Sequence, residues 1–508
     1  MLATVHSATL LGIDSIPVEV QAFYGRGLPA VDIVGLGDTA VRESRVRVKS
    51  AIESSGLSLP SRHVVLNLAP ADVRKTGSSL DLAIALALLS AAAEATPSRL
   101  PETLVLGELS LDGSLRAVRG TLSHLRWARE RGLTQAIVPR ENLGEASLVD
   151  GIDVRCAPCL RDVVSHLLGA LELPRPSPEE PRPGELREEP DLSDVRGQQS
   201  AKRALEVAAA GHHNLLMIGP PGTGKTMLAR RLASLLPTPS VEQALSIATI
   251  ASATGAATPS HLHLVRRPFR APHHSASYAA MIGGGTPIRP GEVTLAHGGV
   301  LFLDELPEFS RQTLESLRPT MESGVAVVAR AHERVTWPAR PLVVAAMNPC
   351  PCGHAGNQTR LCTCTPERVD RYRARISGPL LDRFDMHIAL QAVDVKTLRE
   401  GARGESSKAV RARVQHAQPR ATHGPAAACD LETMSKQAQP SALGLLDRAV
   451  DALGLSMRAY QKALRVAWTV ACLDERETIE PHHMAEAIQY RLLDRAEPVG
   501  VPALARVL

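Results

Sequence analysis

Eight consecutive residues constrain this chain more than any others. Gly219-Pro-Pro-Gly-Thr-Gly-Lys-Thr226 satisfies the spacing G-x-x-x-x-G-K-[ST] at every position. The apolar run Asn214–Ile218 precedes it and a helical pattern through Met227–Leu236 follows, so strand, glycine-rich turn and helix are expected in succession. Gly219, Gly222 and Gly224, with Pro220, Pro221 and Thr223 between them, form a loop whose backbone N–H groups can fold around phosphate oxygens. The following helix adds its positive end. Lys225 is expected to reach the β- and γ-phosphates, and Thr226 to ligate Mg²⁺.

A second half-site is Val300-Leu-Phe-Leu-Asp-Glu305, a buried strand that would deliver carboxylates to the sheet edge where ligands bind. Asp304 would hold Mg²⁺ through water, and Glu305 would polarise the attacking water. Leu342-Val-Val-Ala-Ala-Met-Asn348 is a third strand ending in Asn, a residue that suits either water positioning or plain turn chemistry. Leu215–Ile218, Val300–Leu303 and Leu342–Ala346 are short and wholly apolar, as strands of a doubly covered parallel sheet are. The fold class expected is therefore α/β.

At 508 residues about three domains are expected. A hydrophobic fraction of 44% excludes global disorder, and eight cysteines are too few for a disulfide scaffold. No leader-like sequence opens the chain, and the longest apolar stretch, Leu80–Ala93, is short of a membrane span and carries Asp81 and Ser90. A cytoplasmic location without membrane contact is expected. Pro174–Asp191 holds six prolines and six acids against three arginines, which marks 174–190 as an extended linker. Before it, in residues 1–173, strand-like runs at Val18–Ala22, Val31–Val34, His63–Leu68, Thr103–Leu106 and Gln135–Val138 alternate with helical ones. The ATPase-like core would span 191–395. From 396 to 508 the strands stop, and Asp447–Gly454, Arg458–Leu473 and Pro481–Leu493 read as helices.

Cys350-Pro-Cys352 and Cys362-Thr-Cys364 place four thiols within fifteen positions, which suits a tetrahedral zinc ion. The C-x-C spacing is tight, and His354 could replace one thiolate. Four reduced cysteines packing by contact alone, or redox use, are the alternatives.

These motifs resemble the AAA+ ATPases, in the branch that includes the magnesium-chelatase ATPase subunit, and above all the ComM/YifB family of magnesium-chelatase-like proteins. The resemblance covers essentially the whole chain. It extends to Asp191-Leu-Ser-Asp-Val-Arg-Gly-Gln198, Arg266-Arg-Pro-Phe-Arg-Ala-Pro-His-His274, Pro290–Gly299, Met347-Asn-Pro-Cys-Pro-Cys-Gly353, Ser377–Asp385 and Leu455-Ser-Met-Arg458. It implies ATP and Mg²⁺ as cofactors, Asn348 as first sensor, Arg458 as second sensor acting in cis or in trans, and Arg383 as an arginine finger. The finger would reach the γ-phosphate held by a neighbouring subunit, so a homo-oligomeric, hexameric ring is implied as well. An ion pair with Asp382 or Asp385 is the alternative use of Arg383.

Residues 1–173 resemble the proteolytic domain of Lon, a ribosomal S5 domain 2-like α+β fold, through Arg74–Ala83 and Gly107–Gly120. Ser79 falls at the nucleophile position, but Leu122 stands where the lysine base would be. Leu cannot take a proton, and Lys75 is wrongly spaced, so this half is expected to be proteolytically inactive.

The resemblance further implies a motor on DNA, a helicase that promotes branch migration of recombination intermediates during natural transformation. A chaperone-like metal-chelatase motor that remodels a protein partner is the rival. The 57 basic residues comprise 8 Lys and 49 Arg, and aromatics are only 3%, so backbone contact by Arg is expected, with little base stacking. Arg excess can also reflect genomic base composition. The insert 261–297 carries Arg266, Arg267, Arg270 and Arg289, five histidines and one acid, Glu292, with Gly283-Gly-Gly285 as a mobile loop. Arg330, His332 and Arg334 alternate along an apparent hairpin and would share one face. Phe269 and Trp337 are the aromatic candidates for a wedge.

Overall fold

The computed structural model describes residues 2–491 apart from 36, 38, 72–74, 76, 177–189, 257–264, 287, 331–332, 356–359, 394–396, 398, 400–402 and 424–430. Most of the expected linker, and His332, therefore lie outside the described residues. The chain divides into two compact units, Met1–Leu186 with Ser240–Val265, and Arg187–Pro239 with Arg266–Leu508. Both mix helices with sheet. Among the described residues no helix is long and apolar enough to cross a membrane.

The first unit is built on a seven-stranded sheet. β1 (Leu2–Leu11) and β2 (Asp14–Tyr24) pair antiparallel from Leu2 opposite Phe23 to Leu11 opposite Asp14. This leaves a two-residue turn in which Gly12 has φ +70°, a conformation the primed hairpin turns require. β3 (Val31–Val34), α1 (Thr39–Ser54), β4 (Val64–Ala69), α2 (Asp81–Ala92), β5 (Thr103–Val105), α3 (Thr121–Glu130), β6 (Gln135–Pro139), β7 (Asp153–Ala157) and α4 (Leu160–Leu167) follow, and the spatial order is β3-β4-β2-β1-β5-β6-β7. The expected strand runs all lie in this sheet. β1 was not among them, because its buried residues include the polar Ser7 and Thr9.

α2 is buried almost all round, as a helix without a polar face must be. Its one charge, Asp81, is fully buried and accepts from Ser44, from Arg47 Nε at 2.9 Å and from Leu109 N at 3.3 Å. Leu122, on α3, is fully buried in apolar surroundings. Ser79 Oγ lies 3.5 Å from the Ala8 carbonyl, and the buried Lys75 Nζ donates to the Pro70 carbonyl.

The second unit begins with α5 (Gln199–Gly211), β8 (Leu215–Ile218) and α6 (Lys225–Leu235). The chain then leaves it. α7 (Val241–Thr254) opens with a Ser240/Gln243 capping box, ends at Gly255 with φ +74°, and packs into the first unit. Its Ala244 and Ala248 are buried against the cluster that holds Leu122 and Leu125. Ser252 accepts from Gly120 N through its carbonyl and donates from its hydroxyl to Glu145 at 2.6 Å. A segment from within the 191–395 range expected to form the ATPase-like core thus completes the first unit.

On return, β9 (Phe269–Arg270), β10 (Val300–Leu303), α8 (Arg311–Ser323), the hairpin β11 (Val325–Ala329) and β12 (Arg334–Pro338), β13 (Leu342–Met347) and β14 (Met386–Ala389) follow. Five strands form one sheet in the order β9-β10-β13-β8-β14, every neighbouring pair parallel. β8, β10 and β13 match the three expected core strands and are fully buried, as helices on both faces demand. Helices α9 (Ser407–His423), α10 (Pro440–Leu453), α11 (Met457–Leu473) and α12 (Pro481–Gln489) share one continuous core with the sheet, through residues such as Val414, Ala463 and Trp468.

Candidate nucleotide site and cysteine cluster

Parallel register brings the three motifs to one edge. Ile218 pairs with Met347, and Leu303 with Ala345, so Gly219, Asp304 and Asn348 all leave their strands at the same end. Gly222 and Gly224 hold φ of +80° and +87°, where any side chain would strain the loop, and Lys225 starts the helix directly afterwards. Lys225 Nζ donates to the carbonyls of Gly219 (2.7 Å) and Pro220 (3.0 Å) and to Asn348 Oδ1 (3.1 Å). Burial pushes its pKa down, while Asp304 and Glu305 pull it up. Thr226 Oγ1 donates to Asp304 Oδ2 at 2.8 Å, so a hydroxyl and a carboxylate suited to Mg²⁺ already converge. Gln198, itself at φ +54°, ties the segment before α5 to the loop by donating to the Thr223 carbonyl, and to the chain after β14 by donating to the Gln391 carbonyl.

Glu305 sits in a left-handed conformation, φ +53°, rare for a residue with a side chain. Its carboxylate is half-exposed and lies 3.1 Å from His274 Nδ1. The ring of His274 lies against that of His273, with centroids 4.1 Å apart and the planes tilted by 35°. Along the chain these histidines read only as part of a cationic insert; the adjacent pair His273-His274 is visible there, but its target is not.

Arg383 and Arg458 lie elsewhere. Asp385 N donates to Asn214 O, and Asn214 Nδ2 to Arg383 O, which sets Arg383 level with the start of β8. The phosphate loop leaves the other end of that strand, roughly 15 Å away at about 3.3 Å per residue. Arg383 Nη2 pairs with Glu322 Oε2 at 2.7 Å, not with Asp382 or Asp385. Asp382 lies 3.7 Å from Arg458, and Asp385 lies 3.3 Å from Lys462. Arg383, Arg458, Lys462 and Arg465 together line a cavity of about 220 Å³. Of the catalytic candidates, Glu305 and Asn348 are therefore brought to the phosphate loop, and the two arginines are brought to each other.

The four cysteines converge. Cys350 Sγ is 3.3 Å from Cys352 Sγ and 3.6 Å from Cys362 Sγ, Cys352 and Cys362 are 3.5 Å apart, and all four sulfurs lie within 4.8 Å of one another. A zinc–sulfur bond of about 2.3 Å makes the edge of a tetrahedron about 3.8 Å, so the set fits that ion. Backbone N–H groups of His354 and Thr363 hold the Cys352 thiol down to about 5. His354 is not part of this set.

The cationic candidates are placed less uniformly than expected. Arg266 is exposed. Arg267 donates to the carbonyls of Pro237 and Gly298, both at 2.6 Å, and burial pushes it down to about 10. Arg270 makes a two-pronged pair with Glu292, both contacts 2.7 Å. Arg330 exchanges backbone bonds with Glu333, whereas Arg334 stands opposite Ala329. Side chains alternate between faces along each strand, so Arg330 and Arg334 fall on opposite faces and not on one. Arg330 reaches Thr286 Oγ1 at 2.7 Å, and Arg334 joins the exposed face with Thr336. Neither aromatic is a wedge: Trp337 is fully buried, and Phe269 stacks on Phe302. Gly283 and Gly284 pair with Pro290 and Arg289 in a tight ladder, and a Cβ on Gly283 would meet Arg289 O at 2.7 Å. That glycine serves close packing, not a mobile loop.

Three family descriptions match in succession: "Subunit ChlI of Mg-chelatase" over residues 18–142, "Magnesium chelatase, subunit ChlI" over 191–398, and "Magnesium chelatase, subunit ChlI C-terminal" over 404–491. The chain is 44% identical over 502 residues to YifB of Escherichia coli K12, a match covering 97% of this chain and 98% of that one. It is 40% identical over 512 residues to competence protein ComM of Haemophilus influenzae, again covering 97% and 98%. A weaker likeness, 31% over 150 residues, links 26% of the chain to 31% of ClpX, the ATP-binding subunit of the Clp protease, of Porphyromonas gingivalis. On this near full-length identity, the chain belongs to the ComM/YifB family of magnesium-chelatase-like AAA+ proteins.

Proposed function

We propose that this protein is an ATP-driven, ring-forming motor on DNA: a helicase that promotes branch migration of recombination intermediates during natural transformation. ATP and Mg²⁺ are taken by Gly219–Thr226 and Asp304, Glu305 activates the water, and Asn348 positions it. One observation carries the assembly. Arg383 and Arg458 stand at the opposite end of the sheet from their own phosphate loop, so each site needs the arginines of a neighbour. A closed ring, a hexamer in this reading, supplies one to every site. Arg458 accordingly acts in trans. DNA as the substrate is supported by likeness to a protein named for competence. The cationic surface is smaller than the sequence suggests, because Arg267 and Arg270 are engaged internally; Arg266, Arg289, Arg330 and Arg334 are exposed, the last two on opposite faces of their hairpin. The cysteine cluster holds structural zinc, and the motor works in the cytoplasm.

The test is ATPase activity with and without branched, single-stranded and duplex DNA, with Lys225→Ala and Arg383→Ala as controls. Stimulation by branched DNA, lost in both variants and falling steeply with salt, is expected. Turnover indifferent to every DNA would reject the helicase reading, and stimulation by a protein partner instead would favour a chelatase-type chaperone.

A further inference from the structure

The cysteine cluster and the phosphate loop are in contact. Gly353 follows Cys352 directly and closes a turn by donating its N–H to the Cys350 carbonyl at 2.9 Å. Its φ is +80°, and a Cβ built there would lie 2.7 Å from Cδ and 2.9 Å from Cγ of Pro221. Pro221 is a residue of the loop that is to fold around the phosphates. On the other side of the cluster, Asn348 stands two residues before Cys350 with Oδ1 3.1 Å from Lys225 Nζ. Cys350 and Cys352 are thus bracketed by two contacts with the nucleotide site, one to its loop and one to its lysine.

We propose that Cys350, Cys352, Cys362 and Cys364 hold one zinc ion, and that this ion sets the affinity of the phosphate loop for nucleotide, with Gly353 and Asn348 as the positioning residues. The proposal rests on reading Gly219–Thr226 as the nucleotide site. The physical reason is the sparse support of the turn. Cys350 to Gly353 is irregular backbone, and among the described residues it meets Cys362 and Cys364 through their sulfurs. Bridging by a metal fixes the turn at one point in space, and Gly353 then forms a rigid wall against Pro221. Without the bridge the wall gains freedom, and so does the loop that leans on it. Glycine is required at the contact because the gap admits no side chain.

Full-length protein, its Cys362→Ser, Gly353→Ala and Lys225→Ala variants are compared by zinc content, thermal melting and affinity for a fluorescent ATP analogue, none of which depends on turnover. Wild type is expected to carry about one zinc per chain. Cys362→Ser is expected to lose the zinc and to bind the analogue at least about tenfold more weakly. Gly353→Ala is expected to keep its zinc and weaken binding by a similar factor, and Lys225→Ala to abolish binding with zinc retained. Should Cys362→Ser fail to melt cooperatively, zinc is stripped from wild type with a chelator, and restoring the metal alone is expected to restore affinity. Wild type free of zinc, or zinc loss with affinity unchanged within about twofold, would overturn the proposal. Gly353→Ala with unaltered affinity would overturn the contact as its route. Wild type that carries zinc but binds no nucleotide would instead reject the reading of the phosphate loop.

Discussion

Glu305 is the residue on which the proposed hydrolysis turns, and only half of its environment is visible in the sequence. The motif fixed its type and its place after a buried strand, because Asp-Glu at a strand end has few other uses beside a phosphate loop. Glu305→Gln removes the base but keeps the shape, so nucleotide binding is expected to survive while turnover falls by about 10² or more, measured as Kd against kcat. His274 was not legible. It lies in a different segment, and only the folded insert brings Nδ1 to 3.1 Å from the Glu305 carboxylate. A carboxylate engaged by an imidazole is a poorer base for water, so His274→Ala is expected to raise basal ATPase by roughly three- to tenfold. A fall in basal turnover would show instead that the histidine orients the glutamate productively. Arg267 teaches the same lesson from the other side. Counted along the chain it is one more cation, but two carbonyl contacts at 2.6 Å make it a brace.

Elements were legible where one physical signal dominates. The strands β8, β10 and β13 are continuous apolar runs with sharp ends, and their observed bounds stay within a residue of those read from the pattern. β14 and β9 escaped because each is short and flanked by charge, and only pairing with a neighbour makes them strands. The hairpin β11–β12 was legible as a hairpin but not in register, and register is what decides which arginines share a face. α7 shows the largest gap between pattern and placement. Its capping box and terminal Gly255 announce a helix, yet nothing in its own sequence names the surface it covers. Since Ala248 is 1% exposed among apolar residues of the first unit, Ala248→Asp in the full chain would bury an unpaired carboxylate. A loss of about 3 kcal/mol is expected, localised to the first unit and followed by hydrogen exchange in α3. Unchanged protection in α3 would contradict the packing assignment.

At the scale of the molecule, the separation between a phosphate loop and its arginines decides how the catalytic unit must be counted. Parallel strands put Gly219 at one end of β8 and Arg383 level with the other, and no side chain spans about 15 Å. In the proposed ring each chain supplies two half-sites, and complementation between inactive subunits is the prediction. Lys225→Ala damages the loop half and Arg383→Ala the arginine half, and each alone is expected to lose turnover by about 10² or more. Mixed in equal amounts and reassembled, they form four kinds of interface. One of these pairs the intact loop of an Arg383→Ala subunit with the intact arginine of a Lys225→Ala subunit. Random assembly makes that interface about one in four, so the mixture is expected to recover about a quarter of wild-type ATPase. Arginines acting within their own chain would give no recovery at any ratio, since neither variant carries both halves. Separate melting curves for the two variants exclude misfolding as the cause of lost activity, and titrating the ratio away from equality should lower recovery symmetrically.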